Sequence, residues 1–228
     1  MGENKIDIID ELVQEHVFIE QVMSGIRNFL FQDLTFTSDQ VDTLVFIPKF
    51  FDLFVEKIHH GKEEEILFPA LAEVEILKQG GPKCVLFMGL RIEHQFGEKV
   101  LSQAKSLNIP PPQLRAFVKN QIDLTTPLSI PLSEHITGYY SISLMQHFAN
   151  EIQNGNTSAY LDFKSCALRH LEMLHYHIRK EDECLFIRAR QLLSEDTIDE
   201  ITKKCNQSIF LPPEQTQQLE HKAKEYFL

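Results

Sequence analysis

The sequence predicts an all-α fold, arranged as an up-and-down antiparallel four-helix bundle. Apolar residues recur at helical spacing along nearly all of the 228 residues, and no segment alternates convincingly as a β-strand does. Long amphipathic segments are separated by short turns, which is typical of antiparallel neighbouring helices. We therefore expect a single domain over residues 1–228.

The predicted elements follow from the apolar stripes and from the residues that interrupt them. In chain order, we expect helices at about 5–31, 38–78, 83–107, 113–123, 132–153 and 157–193, and two short helices in a tail at 194–228. The segment at about 105–131 is predicted to be an insertion rather than a second domain. The helices at 83–107 and 132–153 both qualify as the third core helix, and the sequence leaves that choice open.

The first two helices are separated by a turn at Thr35–Ser38. One face of the first carries Ile9, Leu12, Val13, His16, Ile19, Met23, Ile26 and Leu30. Ser38 is a suitable N-cap for the second. Pro48 should kink that helix or mark its true start, because proline removes a backbone donor.

Glycine and proline delimit the later helices. Gln79–Pro82 stops the second helix, and Asn108–Pro112 ends the third. An irregular stretch at 125–131 precedes the helix at 132–153, and Asn154-Gly155-Asn156 closes that helix. Ser194 and the Pro212-Pro213 pair open the two tail helices.

Charge and composition exclude several classes of function. The chain has 22 basic and 33 acidic residues, a net charge of −11, which argues against nucleic acid or an anionic membrane as a partner. No apolar run approaches the length of a membrane span, and the N-terminus lacks a signal-peptide core. We therefore expect a cytoplasmic protein. The four cysteines form no CxxC pair, so we expect reduced thiols that fill the core.

Two decapeptides near opposite ends of the chain share one pattern. HHGKEEEILF occupies 59–68 and HIRKEDECLF occupies 177–186. In both, a histidine precedes a glutamate by four residues, which places the two side chains on the same face of a helix. Two such helices facing each other would supply two imidazoles and two carboxylates to one point, as a metal site requires.

The helical face decides which of these residues point inward. The pattern HxxxE alone is weak evidence, because it also occurs at His16, His60, His94, His147 and His221. Residues at helical steps from His59 and Glu63 are apolar, and the same holds for His177 and Glu181. A buried glutamate is costly without a partner, so these rows predict a bound cation. His60 and Glu64 lie on a more polar row, which predicts that they face water or support the ligands from outside.

Lone histidines complete the predicted ligand set. His16 precedes His59 by 43 residues and His135 precedes His177 by 42, so each would lie level with its partner in an antiparallel hairpin. His94 competes with His135, because both follow a glutamate and precede a glycine by three residues. One or both of them can bind. His170 lies two turns before His177 on a nearby face, where it is a core residue, a supporting residue or a ligand. His175 lies at the edge of the face and is expected to be exposed.

A ferritin-like site is the main alternative arrangement. The ExxH spacing of such sites occurs at Glu56/His59 and at Glu172/His175. These pairs occupy non-equivalent places in the two decapeptides, which disfavours that interpretation. A metal-free scaffold or a haem-binding bundle ranks lower still.

Taken together, these motifs resemble those of the hemerythrin-like, or HHE cation-binding, proteins of prokaryotes. The resemblance covers about residues 6–104 and 132–205. It rests on Glu15-His16, HHGKEEEILFPAL at 59–71, Gly80-Gly81-Pro82, the Glu-His-x-x-Gly segment and HIRKEDECLF at 177–186. It implies an up-and-down four-helix bundle with a non-haem di-iron centre and an oxo or hydroxo bridge.

The resemblance also implies roles for individual residues. Glu63 and Glu181 would bridge two iron ions, His16 and His59 would complete one, and His177 with His135 or His94 the other. This chain departs from the family pattern in the long distance between Gly80-Gly81-Pro82 and the last motif. Residues near 105–131 would then cover or gate the site.

The implied function is binding of O₂ or a related small ligand, NO or peroxide, by a carrier, store or sensor. The alternative is a di-iron enzyme or stress protein that turns over peroxide or NO, or supplies iron for repair of iron centres. No residue demands catalysis, so the sequence leaves enzyme activity open. Imidazole with carboxylate suits iron, and Zn and Mn are alternative metals. Glu15, Glu134 and Tyr139 are candidates for orienting the imidazoles.

Overall fold

The computed structural model describes residues 6–74, 90–121 and 126–228, and only the backbone at 90–95. This part of the chain is helical and contains no strand, which confirms the all-α prediction. The helices are α1 (Ile8–Leu30), α2 (Ser38–Glu73), α3 (Leu90–Ser106), α4 (Ala116–Gln121), α5 (Ser129–Gln153), α6 (Tyr160–Leu192), α7 (Glu195–Gln207) and α8 (Pro213–Phe227). None of these helices is long and apolar enough to cross a membrane.

Helix α2 begins at a capping box. The Thr37 hydroxyl accepts a hydrogen bond from the Gln40 backbone N–H, and the Gln40 side chain accepts one from the Thr37 N–H. The N-cap is therefore Thr37 rather than the expected Ser38. Pro48 lies inside the helix, so it does not mark the true start.

Four long helices, α1, α2, α5 and α6, each contact the next, and α6 contacts α1. Along each contacting pair, residue numbers rise in one helix as they fall in the other, so the two helices are antiparallel. The contacts include Phe18–Phe54 and Glu11–Lys62 between α1 and α2, Glu64–His135 and Glu56–Gly138 between α2 and α5, Glu134–His177 and Ser141–Cys166 between α5 and α6, and Glu20–His175 and His16–Asp182 between α6 and α1.

Of the two candidates for the third core helix, α5 packs against both α2 and α6, whereas α3 packs against α5. Residues 107–128 connect α3 to α5 through the short helix α4, close to the predicted insertion. The tail helices α7 and α8 pack on α1. Gly25 permits that approach, because a Cβ there would lie 2.1 Å from the Phe227 carbonyl oxygen.

Helices α2 and α6 both change to π-helical hydrogen bonding at their glutamate rows. Helix α2 is π-helical over Phe51–His59 and Glu63–Leu67, and α6 over Glu181–Leu185. Elsewhere both helices are α-helical. A π-turn closes an i→i+5 hydrogen bond and so holds more residues than an α-turn, which changes the face that the following residues occupy. Such turns occur frequently at functional sites.

The apolar core is divided into two clusters by a polar layer. One cluster contains Ile19 and Val22 of α1 with Val55 of α2, and the other contains Leu12 of α1 with Leu67 of α2. The histidines and glutamates of the two motifs lie between these clusters. Apolar residues therefore shield the polar layer from solvent at both ends.

Two expectations about single residues are wrong. Val13 is expected on the same apolar face of the first helix as Leu12 and His16, but 36% of it is exposed. The cysteines are not all reduced thiols, because Cys184 is disulfide-bonded, whereas Cys166 and Cys205 are free and buried.

Candidate metal centre

Five histidines and two glutamates converge in the polar layer, and each is at most 3% exposed. They are His16 of α1, His59, His60 and Glu63 of α2, His135 of α5, and His177 and Glu181 of α6. They form two groups that can each hold a metal ion, and within each group the ligand atoms lie within 4.8 Å of one another. The two-histidine group is His16, His59, Glu63 and Glu181. The three-histidine group is His60, Glu63, His135 and His177.

The two-histidine group is closed by helices α1, α2 and α6. The Nε2 atoms of His16 and His59 lie 2.9 Å apart, so both rings point at the same place. Glu181 Oε2 is 3.3 Å from His16 Nε2, and Glu63 Oε1 is 3.8 Å from His59 Nε2. This arrangement presents two imidazole nitrogens and two carboxylates to one point.

The three-histidine group lies on the other side of the Glu63 carboxylate. Glu63 Oε2 is 3.5 Å from His135 Nε2, and Glu181 Oε2 is 3.3 Å from His177 Nε2. The His60 ring stacks on that of His135, with centroids 3.6 Å apart and planes 10° from parallel. Each oxygen of Glu63 therefore faces a different group, and Glu181 Oε2 lies at the same distance from a histidine of each.

Most donor atoms at the centre lack a hydrogen-bond partner among the described residues. Both carboxylate oxygens of Glu63 and of Glu181 are buried without a hydrogen bond, and so are the Nε2 atoms of His60, His135 and His177. Burying a polar group without a partner costs several kcal/mol, and burying a charged one costs more. So many convergent buried polar atoms without a hydrogen-bond partner could be satisfied by cations, and the residues fit a pair of them.

A carboxylate stands behind each imidazole on its Nδ1 side. The contacts are His16–Asp182 at 2.7 Å, His59–Glu15 at 2.9 Å, His135–Glu64 at 2.6 Å, His177–Glu134 at 2.8 Å and His60–Glu56 at 3.4 Å. A carboxylate in this position accepts the Nδ1 proton, fixes the tautomer and leaves the Nε2 lone pair for a metal. All but the His60–Glu56 contact are hydrogen bonds.

Three cations lie behind these carboxylates. Lys62 contacts Glu15, which supports His59, and Lys180 contacts Glu134, which supports His177. The two lysines occupy equivalent places in the two motifs. Arg115, from the segment between α3 and α4, donates to Glu64 at 2.7 Å.

The two central carboxyl groups affect each other's ionisation. Burial raises the pKa of Glu63 well above its ordinary value, and the negative charge of Glu181 raises it further. Burial also raises the pKa of Glu181, but the positive charges of His177 and His16 outweigh it and lower that pKa to about 2. One site therefore contains two carboxyl groups that resist being ionised together without a cation.

The imidazoles of the two-histidine group are also held in different protonation states. Burial lowers the pKa of His16, but the hydrogen bond with Asp182 and the negative charges of Glu181 and Asp182 outweigh it and raise the pKa to about 9. Burial and the neighbouring His16 charge lower the pKa of His59 to about 3. A metal ion would compete with the proton on His16.

The expectation that His60 faces water is wrong. Its side chain is buried and lies within the three-histidine group. The α-helical spacing used for that prediction does not apply, because the preceding nine residues are π-helical and shift the face of His60 inward. Its neighbour Glu64 does support a ligand, through His135.

The remaining predicted residues divide as follows. His135 lies in the centre, whereas the side chain of His94 falls outside the described part of the structure. His170 is buried beside Phe51, with ring centroids 4.6 Å apart, and belongs to neither group. Glu15 and Glu134 contact imidazoles as expected. Tyr139 instead lines a surface cleft.

The donor set combines imidazole nitrogens with carboxylate oxygens, which suits iron, zinc and manganese. Buried histidines and glutamates can thus hold metal here, while the choice among these metals does not follow from the donors. Comparisons of the chain with models of protein families, with curated proteins and with solved structures find no match.

Proposed function

We propose that this chain is a hemerythrin-like di-iron protein that binds O₂ or a related small ligand, as a carrier, store or sensor. In this proposal α1, α2, α5 and α6 form an up-and-down four-helix bundle around the two ions. The observation that carries it is the pair of buried ligand groups that share Glu63, with both carboxylate oxygens unpartnered.

The side chains of the centre take distinct roles in this proposal. Glu63 and Glu181 would each contribute to holding both ions, because each lies beside histidines of both groups. The outer carboxylates orient the imidazoles, and the two apolar clusters exclude bulk water. The iron pair supplies the redox chemistry by which O₂ or a related ligand is held.

The space next to the centre supports a small ligand. A cavity of about 20 Å³ is lined by His177 and Glu181 together with Pro127, Pro131 and Leu185. That volume admits about one water-sized molecule. A diatomic ligand fits this scale better than an organic substrate does.

Iron loading under anaerobic conditions tests the proposal. We expect two iron(II) ions per chain, and absorption bands from ligand-to-metal charge transfer that appear when O₂ is added and disappear when it is removed. The Glu63→Ala/Glu181→Ala double variant should lose both properties. Glu172→Gln is the matched control, because Glu172 is an exposed residue of α6.

Three results would change the proposal. Iron uptake well below two ions per chain contradicts the di-iron centre. Preferential retention of zinc or manganese over iron contradicts the choice of metal. Steady-state consumption of peroxide or NO above the rate of free iron would favour the enzymatic alternative.

A further inference from the structure

The segment between α3 and α4 reaches the metal centre through one side chain. Arg115 donates from its Nη1 atom to Glu64 Oε2 at 2.7 Å and from Nε to Glu65 Oε1 at 2.8 Å. Its Nη2 atom donates to the Glu56 carbonyl oxygen at 3.1 Å. All three acceptors belong to α2, so one guanidinium spans more than two turns of that helix. A planar guanidinium suits this task because its donors have a fixed geometry.

The contact with Glu64 continues to a metal-binding residue. Glu64 uses its other oxygen, Oε1, to accept from His135 Nδ1 at 2.6 Å. His135 in turn faces Glu63 through Nε2 and stacks on His60. An unbroken chain of hydrogen bonds therefore leads from Arg115 through Glu64 to the three-histidine group.

His16, the equivalent histidine of the other group, has no such support. Asp182 is the counterpart of Glu64 in the second motif, and it accepts from His16 Nδ1. Its side chain is 35% exposed, whereas that of Glu64 is 6% exposed. Within the described residues, His16 is the ion-pair partner of Asp182 and no lysine or arginine contacts it.

We propose that Arg115 is a positioning residue that acts through Glu64 to hold His135 as an Nδ1–H imidazole aimed at the metal. Its effect is confined to the three-histidine group, so the segment at 107–115 controls one metal position and leaves the other alone. This inference rests on the proposed metal centre.

Cobalt(II) alone serves as the probe, because it occupies sites of mixed nitrogen and oxygen donors and shifts the proton resonances of its ligands. We would load wild type, Arg115→Met and Arg115→Lys and record the shifted, exchangeable Nδ1–H signals. The His135 signal is assigned by its loss in His135→Gln. Titration of each protein with cobalt(II) gives the dissociation constants of the two cobalt ions.

We expect Arg115→Met to displace or broaden the His135 signal. It should also weaken the binding of one cobalt ion by about tenfold, which is the lower end of the range for residues that support metal ligands through hydrogen bonds. Signals from His16 and His59 should stay in place. Arg115→Lys should have a smaller effect, since an ammonium keeps the positive charge but not the planar set of donors of a guanidinium. Arg179→Met is the matched control, because it removes an exposed ion pair with Glu183 on α6.

An unchanged His135 signal with both affinities unchanged in Arg115→Met would overturn the inference. If that variant does not fold, Glu64→Gln decides the matter, because it preserves shape and removes the charge that Arg115 holds. The failure of the underlying proposal looks different. In that case wild-type protein itself binds fewer than two cobalt ions.

Discussion

The two halves of the candidate metal centre share a common arrangement and differ in two places. Each half supplies a Glu-His pair on one helix. A second helix supplies a row that contains, in order, a histidine, a lysine, a glutamate and an acidic residue. The equivalent residues are Glu15 and Glu134, His16 and His135, His59 and His177, Lys62 and Lys180, Glu63 and Glu181, and Glu64 and Asp182. The supporting acids cross between halves, since Asp182 contacts His16 and Glu64 contacts His135.

Both differences fall on the same group. His60 places its imidazole ring in the centre. Ile178, the equivalent residue of the second motif, is instead a buried apolar residue. Arg115 holds Glu64, whereas Asp182 is partly exposed. A repeated frame therefore carries an asymmetric site, and we expect the three-histidine group to bind its ion more tightly.

The largest effect should come from the residue that both groups share. Replacing Glu63 with alanine removes a ligand from each group, so we expect metal content to fall from two ions per chain towards none. Metal analysis after dialysis measures this. Retention of one tightly bound ion would show that the groups do not depend equally on Glu63.

The next largest effect should come from making the two halves alike at His60. His60→Ile copies the residue at the equivalent position of the second motif. We expect the affinity of the three-histidine group for its ion to fall by more than the roughly 10–100-fold that is typical when a residue supporting a ligand is lost, because here a direct ligand is lost. Isothermal titration measures both sites. His175→Gln, at an exposed histidine, is the control, and identical affinities in both variants would refute the role of His60.

The two equivalent lysines offer a comparison of stability. Lys180 and Glu134 are 3% and 7% exposed, whereas Lys62 is 9% exposed and contacts Glu15 and the more exposed Glu11. Removing one partner of a buried ion pair costs about 3–5 kcal/mol. We therefore expect Lys180→Met to lower the free energy of unfolding of metal-free protein by about 3 kcal/mol, and Lys62→Met by less. Urea denaturation checks the order, and the reverse order would contradict the comparison.

The smallest effect concerns a histidine outside both groups. Burial and the nearby His177 charge lower the pKa of His170 to about 3, below the ordinary value of 6.5. The folded protein therefore keeps His170 neutral while the unfolded chain protonates it. The contribution of neutral His170 to the free energy of unfolding is fully present above pH 6.5. It falls as pH decreases towards 3, by at most about 1.4 kcal/mol per pH unit.

Replacing His170 with leucine should reduce this pH dependence in metal-free protein. His59, whose pKa is also lowered to about 3, would retain its own contribution. Denaturant titrations between pH 7 and pH 5 compare the slopes of the two proteins. An equal slope in His170→Leu would show that His170 is not held neutral by the fold.

Much of the fold and centre follows from local sequence. Apolar spacing and turn residues indicated most helices, since each reflects burial along a single segment. The inward faces of Glu63 and Glu181 followed from apolar neighbours at helical steps. Equal arm lengths about a turn brought His16 level with His59, because antiparallel helices have equal rise per residue.

The rest depends on features that local spacing does not contain. The inward turn of His60 required a π-helical segment, whose extra residue per turn breaks the α-helical spacing. The choice of α5 over α3 required tertiary packing. Arg115 has no periodic signal, and it meets Glu64 across 51 residues of chain through a proline-rich segment.

Crystals of iron-loaded protein, measured on both sides of the iron absorption edge, test the central claim most directly. We predict two anomalous peaks per chain with the Glu63 carboxylate between them. One should lie against His16 and His59, and the other among His60, His135 and His177. A single peak, or a second ion that His60 does not contact, would contradict this account.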